Sequence, residues 1–183
     1  MISIIITNYN YGKYLARCIR SCLNQKHCDV EVIVVDDCST DNSMEVLKSF
    51  KDRVKVIKTH KNSGVAVASN LGIENSKGQF IIRVDADDYV SENMCFFLRT
   101  YLIANKDAFC VSCDYWLVND YEEFLERKYA SIDNVSCGIM YRKDLLTQHG
   151  GYNPDFRHRE EEEMRKRLGS WLGNVVNWCI FSF

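Results

Sequence analysis

Ile81-Ile82-Arg83-Val84-Asp85-Ala86-Asp87-Asp88 is a run of β-type apolar residues that ends in three carboxylates within four positions. A strand delivers its last residues to the edge of a sheet, where ligands of α/β proteins sit. Three clustered carboxylates repel one another unless a cation or hydroxyl groups lie among them. Hard oxygen donors of this kind suit Mg²⁺ or Mn²⁺, and those ions in turn hold phosphates. The stretch therefore predicts a strand end that grips a metal–diphosphate group. A plain turn with an N-cap before Ser91 is the simpler alternative, but it leaves Asp85 and Asp87 together unexplained.

Outward from this strand the chain alternates two periods. Residues 2–7 are a continuous apolar run closed by Asn8-Tyr9-Asn10-Tyr11-Gly12, a buried strand and its loop. Leu15, Cys18, Ile19, Cys22 and Leu23 recur at helical spacing over residues 13–25. Residues 31–35 form a second buried strand, which stops at the polar loop 36–43; that loop supplies the cap of a helix through Leu47 and Phe50. A short strand over residues 54–57 follows, and Asn62-Ser63-Gly64 opens a small-residue helix through Ile73. Gly78 turns the chain into the strand over residues 80–84, and a helix over residues 91–105 comes after it. Strands that are apolar on both faces and alternate with helices predict an α/β fold, a mostly parallel sheet with helices on both faces. Its ligand would sit outside the carboxyl ends of the strands. Three polar clusters fall there, at residues 7–10, 36–41 and 85–88, and they are read as one site.

The second half breaks the rhythm. Strands are expected over residues 109–118 and 135–141, separated by the charged, aromatic stretch 121–129, and a helix over residues 142–149 ends at Gly150-Gly151. The half is expected to extend the same sheet with mixed strands, so that one domain covers residues 1–183. Four glutamates, Glu160 to Glu163, precede Arg165, Lys166 and Arg167, an order that suits the dipole of a solvated helix. The alternative is that one of these carboxylates faces the site and takes a proton. Trp116, Tyr121, Phe124 and Tyr129 are read as core or interface aromatics first and as sugar platforms second.

Composition narrows the function classes. The formal charge of −2 gives no general pull toward nucleic acid or anionic membrane. No stretch approaches about 20 apolar residues, so no membrane span is read. The start, Met1-Ile2-Ser3-Ile4, lacks the basic region of a signal peptide and reads as the first strand. Nine cysteines show no framework, and Cys110-x-x-Cys113 falls in a strand-like run where residues three apart face opposite ways. They are read as buried free thiols, in keeping with a cytoplasmic location.

Taken in order, these motifs resemble the family 2 glycosyltransferases with a GT-A, Rossmann-like fold. The resemblance is carried by five segments: residues 3–10, 34–43, 62–70, Asp85-Ala86-Asp87-Asp88 as the DxD element, and Gly150-Gly151-Tyr152 followed by Glu160-Glu161. It implies an inverting transfer of a sugar from a nucleotide-diphosphate sugar, a UDP-sugar foremost, to a hydroxyl of a glycan or lipid-linked acceptor in surface glycan synthesis. It also implies work at the inner face of the membrane. Thr7, Tyr9, Asp37, Gly64, Asn70 and Asp85 would bind the nucleotide, with residues 1–105 as the nucleotide half and 106–183 as the acceptor half. Asp87 and Asp88 would hold Mn²⁺ or Mg²⁺, and Glu161 would be the catalytic base. Cys38 stands where glycine is common, which fits a turn that needs no positive φ. The chain is expected to be short at its C-terminal end. A nucleotide-sugar-binding module without turnover is therefore the competing reading.

Overall fold

The computed structural model describes residues 1–130, 132, 137–157, 159–169 and 176–178. β1 (Ile2–Asn8), α1 (Gly12–Leu23), β2 (Val30–Asp36), α2 (Ser43–Phe50), β3 (Lys55–Lys58), α3 (Val65–Glu74), β4 (Phe80–Asp85) and α4 (Met94–Ala104) alternate as the periodicity predicts. A 3-10 turn, Lys51–Arg53, follows α2. The second half holds β5 (Cys110–Cys113), β6 (Tyr115–Val118), β7 (Phe124–Lys128), β8 (Ile139–Arg142), α5 (Lys143–Gln148), α6 (Glu160–Leu168) and β9 (Val176–Trp178).

Seven strands make one sheet in the order β3-β2-β1-β4-β8-β5-β9. β3, β2, β1 and β4 run parallel. β8 runs against both β4 and β5. β1 and β4 are adjacent although two strands and three α-helices lie between them in sequence, so the chain reverses its winding at this pair, where an open α/β sheet leaves a crevice.

Side chains alternate across each strand, and both faces are covered. Ile2, Ile4, Ile6, Val32 and Val34 pack with Leu15 and Ile19 of α1, Leu47 of α2 and Leu98 of α4. Ile5, Ile33, Val35 and Ile81 pack on the other face with Ala66 and Ala68 of α3, Leu146 of α5 and Met164 of α6. The small residues of α3 allow a close approach: a Cβ on Gly72 would lie 2.4 Å from Cγ2 of Ile5.

Two expectations for the second half need correction. The strand expected over residues 109–118 is two strands: β5 stays in the main sheet, while β6 leaves it and pairs antiparallel with β7 as a separate hairpin. β7 lies in the charged stretch read as a connection, because most of its residues face solvent and show no apolar period. The ring of Trp116 meets that of Phe124 edge-on at 5.4 Å and holds the hairpin together. Val135 and Ser136 of the other expected strand, and the tail 179–183, lie outside the described residues. Cys18, Cys22, Cys28, Cys38, Cys95, Cys110, Cys113 and Cys137 are free thiols. Among the described residues no helix is long and apolar enough to cross a membrane.

Candidate active site at the carboxyl ends of the parallel strands

Register brings the polar tips together. Thr7 stands level with Val35 on one side and Asp85 on the other, and Asn8 stands level with Asp36. The Thr7 hydroxyl donates to Asp85 Oδ1 at 3.1 Å. The Asn8 amide donates to Asp36 Oδ1 at 2.8 Å and to the Ser39 hydroxyl at 3.0 Å. The ends of β1, β2 and β4 therefore form one continuous polar rim. Tyr9, next in the chain, is exposed.

The first acidic loop spends its carboxylates on its own architecture. Asp41 Oδ1 accepts from the backbone N–H of Ser43, the first residue of α2, at 2.9 Å. Asp37 is buried and accepts from the Thr59 hydroxyl at 2.7 Å and from the N–H groups of Ser63 at 3.0 Å and Gly64 at 2.7 Å. It thus fixes the entrance of α3. Gly64 sits at φ +93°, a conformation L-residues rarely adopt, and a Cβ there would lie 3.4 Å from Cγ of Arg157. Cys38 corrects the expectation for its turn, since its φ is +65° and the left-handed conformation is occupied by a residue with a side chain. Asn70, read as a nucleotide contact, is bound to the second half: its amide donates to the carbonyl of Tyr152 at 2.6 Å and its oxygen accepts the Tyr152 N–H at 3.0 Å.

The second acidic loop is open to a ligand. Asp87 is exposed, and its carboxyl is pushed up, first by partial burial and then by Asp85. Asp88 is exposed as a residue while its carboxyl bonds with the Cys137 thiol; burial, and then Asp85 and Asp87, raise it to about 6. Mutual repulsion of this kind is what a divalent cation relieves. Among the described residues no three His, Cys, Asp or Glu side chains form a metal cage. Mg²⁺ and Mn²⁺ in general keep water and bind through one or two carboxylates plus phosphate oxygens. Arg17 of α1 donates to the carbonyl of Asp87 at 2.8 Å, lies 4.5 Å over the ring of Tyr89 and pairs with Glu122 of the hairpin at 3.2 Å. The Tyr11 hydroxyl is pushed up, first by Asp87 and then by partial burial.

Beneath the rim lies a buried charge cluster. Arg83, 3% exposed, pairs through Nε with Asp85 Oδ1 at 3.2 Å and through Nη1 with Glu160, 2% exposed. Its guanidinium lies 5.4 Å from the ring centre of Tyr152. Burial alone would push this guanidinium down; Asp85 and Glu160 outweigh it and hold it charged. Of the four glutamates, Glu160 is thus structural. Glu161 is half-buried and its carboxyl is pushed up, first by burial and then by Glu160, against the pull of Arg83 and Arg165. A raised carboxylate suits general-base work near neutral pH.

The residues missed from the sequence are Tyr11, Arg17 and Arg83, while Asn8 and Glu160 were read only as members of their clusters. Arg83 carried a signal: a charged residue inside an apolar strand is rarely buried without partners. A separate cleft of about 610 Å³, lined by Gly78, Phe80, Arg142 and Lys143, lies at the start of β4. It is at the opposite end of the sheet, and Arg142 and Lys143 are bound to the carbonyls of Ala108 and Ser76.

This fold, with an acidic rim at the carboxyl ends of its parallel strands, is the GT-A architecture. The chain matches the model of "Glycosyl transferase family 2" over residues 3–168, and it belongs to that family. It is 41% identical over 119 residues to the glycosyltransferase GlyG of Streptococcus pneumoniae, covering 63% of this chain and 39% of that one. It is 35% identical over 114 residues to the chondroitin synthase of Pasteurella multocida, covering 61% and 12%. The S. aureus TarS 1-349 structure in complex with UDP superposes with a TM-score of 0.79 at 19% identity, over 98% of this chain and 57% of that one. The mannosyltransferase PcManGT from Pyrobaculum calidifontis, in complex with GDP-Man and Mn²⁺, superposes with a TM-score of 0.74 at 17% identity, over 98% and 54%. The chain spans 39% and 48% of the lengths of the first curated relatives it matches.

Proposed function

We propose that the chain transfers a sugar from a nucleotide-diphosphate sugar to an acceptor hydroxyl, with inversion at the anomeric carbon. The observation that carries the reading is Arg83, which ties Asp85 at the end of β4 to Glu160, the neighbour of Glu161. On this reading donor-side and base-side carboxylates would share one rim. Thr7, Tyr9 and the loop that Asp37 holds up to Gly64 would line the base, and Asp85 would meet the ribose. Asn70 would act indirectly, by seating Tyr152. Asp87, with Asp88 beside it, would hold Mn²⁺ or Mg²⁺; when bound, that ion supplies positive charge against the departing diphosphate.

Glu161 would take the proton of the acceptor hydroxyl. The freed oxygen attacks the anomeric carbon, and the bond to the diphosphate breaks with its electron pair leaving on the nucleoside diphosphate. One in-line displacement of this kind inverts the centre. The similarity to a chondroitin synthase supports a glycan acceptor. Free thiols support a reducing, cytoplasmic compartment.

The test is UDP binding and UDP-GlcNAc turnover with Mn²⁺. Glu161→Gln lowers kcat by about 10²-fold or more while UDP still binds, and Asp87→Ala removes the Mn²⁺ dependence of UDP binding. Binding without turnover, indifferent to Glu161→Gln, favours the non-catalytic module. Absence of binding to both UDP and GDP with metal present overturns the proposal.

A further inference from the structure

Two fully buried opposite charges are a costly way to hold a fold together. Removing a guanidinium and a carboxylate from water costs about what their attraction returns, so well-packed apolar residues of similar size would stabilise as much or more. The Arg83–Glu160 pair, with both side chains almost dry, therefore calls for an explanation other than stability. Its geometry offers one. The planar fork of an arginine holds two carboxylates at a fixed angle. One of the two is Asp85, which also accepts the Thr7 hydroxyl at the rim. The other is Glu160, the first residue of α6.

α6 needs such an anchor. Its N-cap residue, Arg159, makes no side-chain capping bond and sits in the left-handed region at φ +59°. Tyr152 lies over the guanidinium, and Asn70 of α3 fixes the Tyr152 backbone from behind. Glu160 is thus gripped from the sheet, and the direction of the next side chain, Glu161, is set by that grip.

On the reading of Glu161 as the base, we infer that Arg83 and Glu160 are positioning residues: they fix the distance and angle between the base carboxylate and the Asp85 end of the donor site. Neither touches the reacting atoms. A misplacement of about 1 Å at a reacting group can cost about 10²-fold in rate, so a rigid link is worth having there.

The experiment compares Arg83→Met, Glu160→Met and the double variant Arg83→Met/Glu160→Met. Arg83→Met leaves Glu160 buried without its cation, Glu160→Met leaves buried Arg83 with Asp85 but without Glu160, and each lowers Tm; the double change restores it. In the double variant the amides of residues 161–164 exchange with deuterium at least tenfold faster than in the wild type. UDP with Mn²⁺ binds within threefold of wild-type affinity, while kcat for UDP-GlcNAc falls tenfold or more. Recovery of kcat and of slow exchange along with Tm makes the pair a structural staple and overturns the inference. Failure of the wild type to bind UDP instead sinks the donor-site reading, and the exchange rates at 161–164, measured without ligand, then decide alone whether the pair anchors α6.

Discussion

Cys38 shows how much of a loop one residue can hide. Its φ of +65° carries the left-handed penalty of about 1–2 kcal/mol. Its thiol recovers little, through a weak contact to the His60 carbonyl at 3.7 Å. Cys38→Gly removes that strain and costs about 0.5–1 kcal/mol in extra freedom of the unfolded chain. The net is a gain of about 0.5 kcal/mol, read as a higher urea midpoint with an unchanged slope; a lower midpoint contradicts the strain. Asp37 makes the opposite case. It takes three donors, so Asp37→Asn turns an amide N–H against backbone N–H groups and loses charged hydrogen bonds worth about 1.5–3 kcal/mol. Faster exchange over residues 59–64 and weaker UDP binding are expected together. Both residues stand out in the sequence as members of a loop motif. The motif does not reveal that Asp37 faces the protein or that Cys38 is left-handed, because both depend on where the separate segment 59–64 lies.

The loop after β4 joins three elements, and its charge makes it sensitive to pH. The Asp88 carboxyl rises from 3.8 to about 6 on folding, through burial and the charges of Asp85 and Asp87. Between these values the folded chain holds more protons than the unfolded one. Without metal, stability therefore falls as pH rises across that window and levels off above about 6. Glu31 and Asp41 are held below their ordinary values by hydrogen bonds that outweigh burial, so acid costs stability again at still lower pH. Denaturation followed from pH 4 to 8 tests this: Asp88→Asn flattens the slope between about 4 and 6, and an unchanged slope removes Asp88 as its source. Elements of the first half were legible because burial on both faces imposes an apolar run on β1, β2 and β4, and one-sided burial a helical period on α1. The β6–β7 hairpin was not, because its exposed faces carry no period and its pairing is set by a partner strand. The helical character of residues 160–168 could be read from charge order alone. That order does not single out the glutamate that turns inward, which is decided by Arg83, seventy-seven positions earlier.

The molecule as a whole shares one sheet and few independent parts. β4 pairs with β1 on one side and with β8 on the other, and Arg83 and Asn70 carry contacts from the first half to Glu160 and Tyr152 in the second. A ligand seated at the ends of β1, β2 and β4 thus stabilises everything that unfolds with them. At a free concentration of 100 Kd the stabilisation is about 2.7 kcal/mol. For a chain of this size that raises Tm by roughly 5–11 °C. UDP with Mn²⁺ is expected to give that shift as one transition. EDTA removes the part that depends on metal, since the carboxylates of Asp85, Asp87 and Asp88 again repel one another and the diphosphate. In Asp87→Ala, UDP gives the same small shift with or without Mn²⁺. Two separated transitions, with only one moved by ligand, would mean that the second half does not depend on the donor rim; the link through Arg83 would then be too weak to carry the base into register.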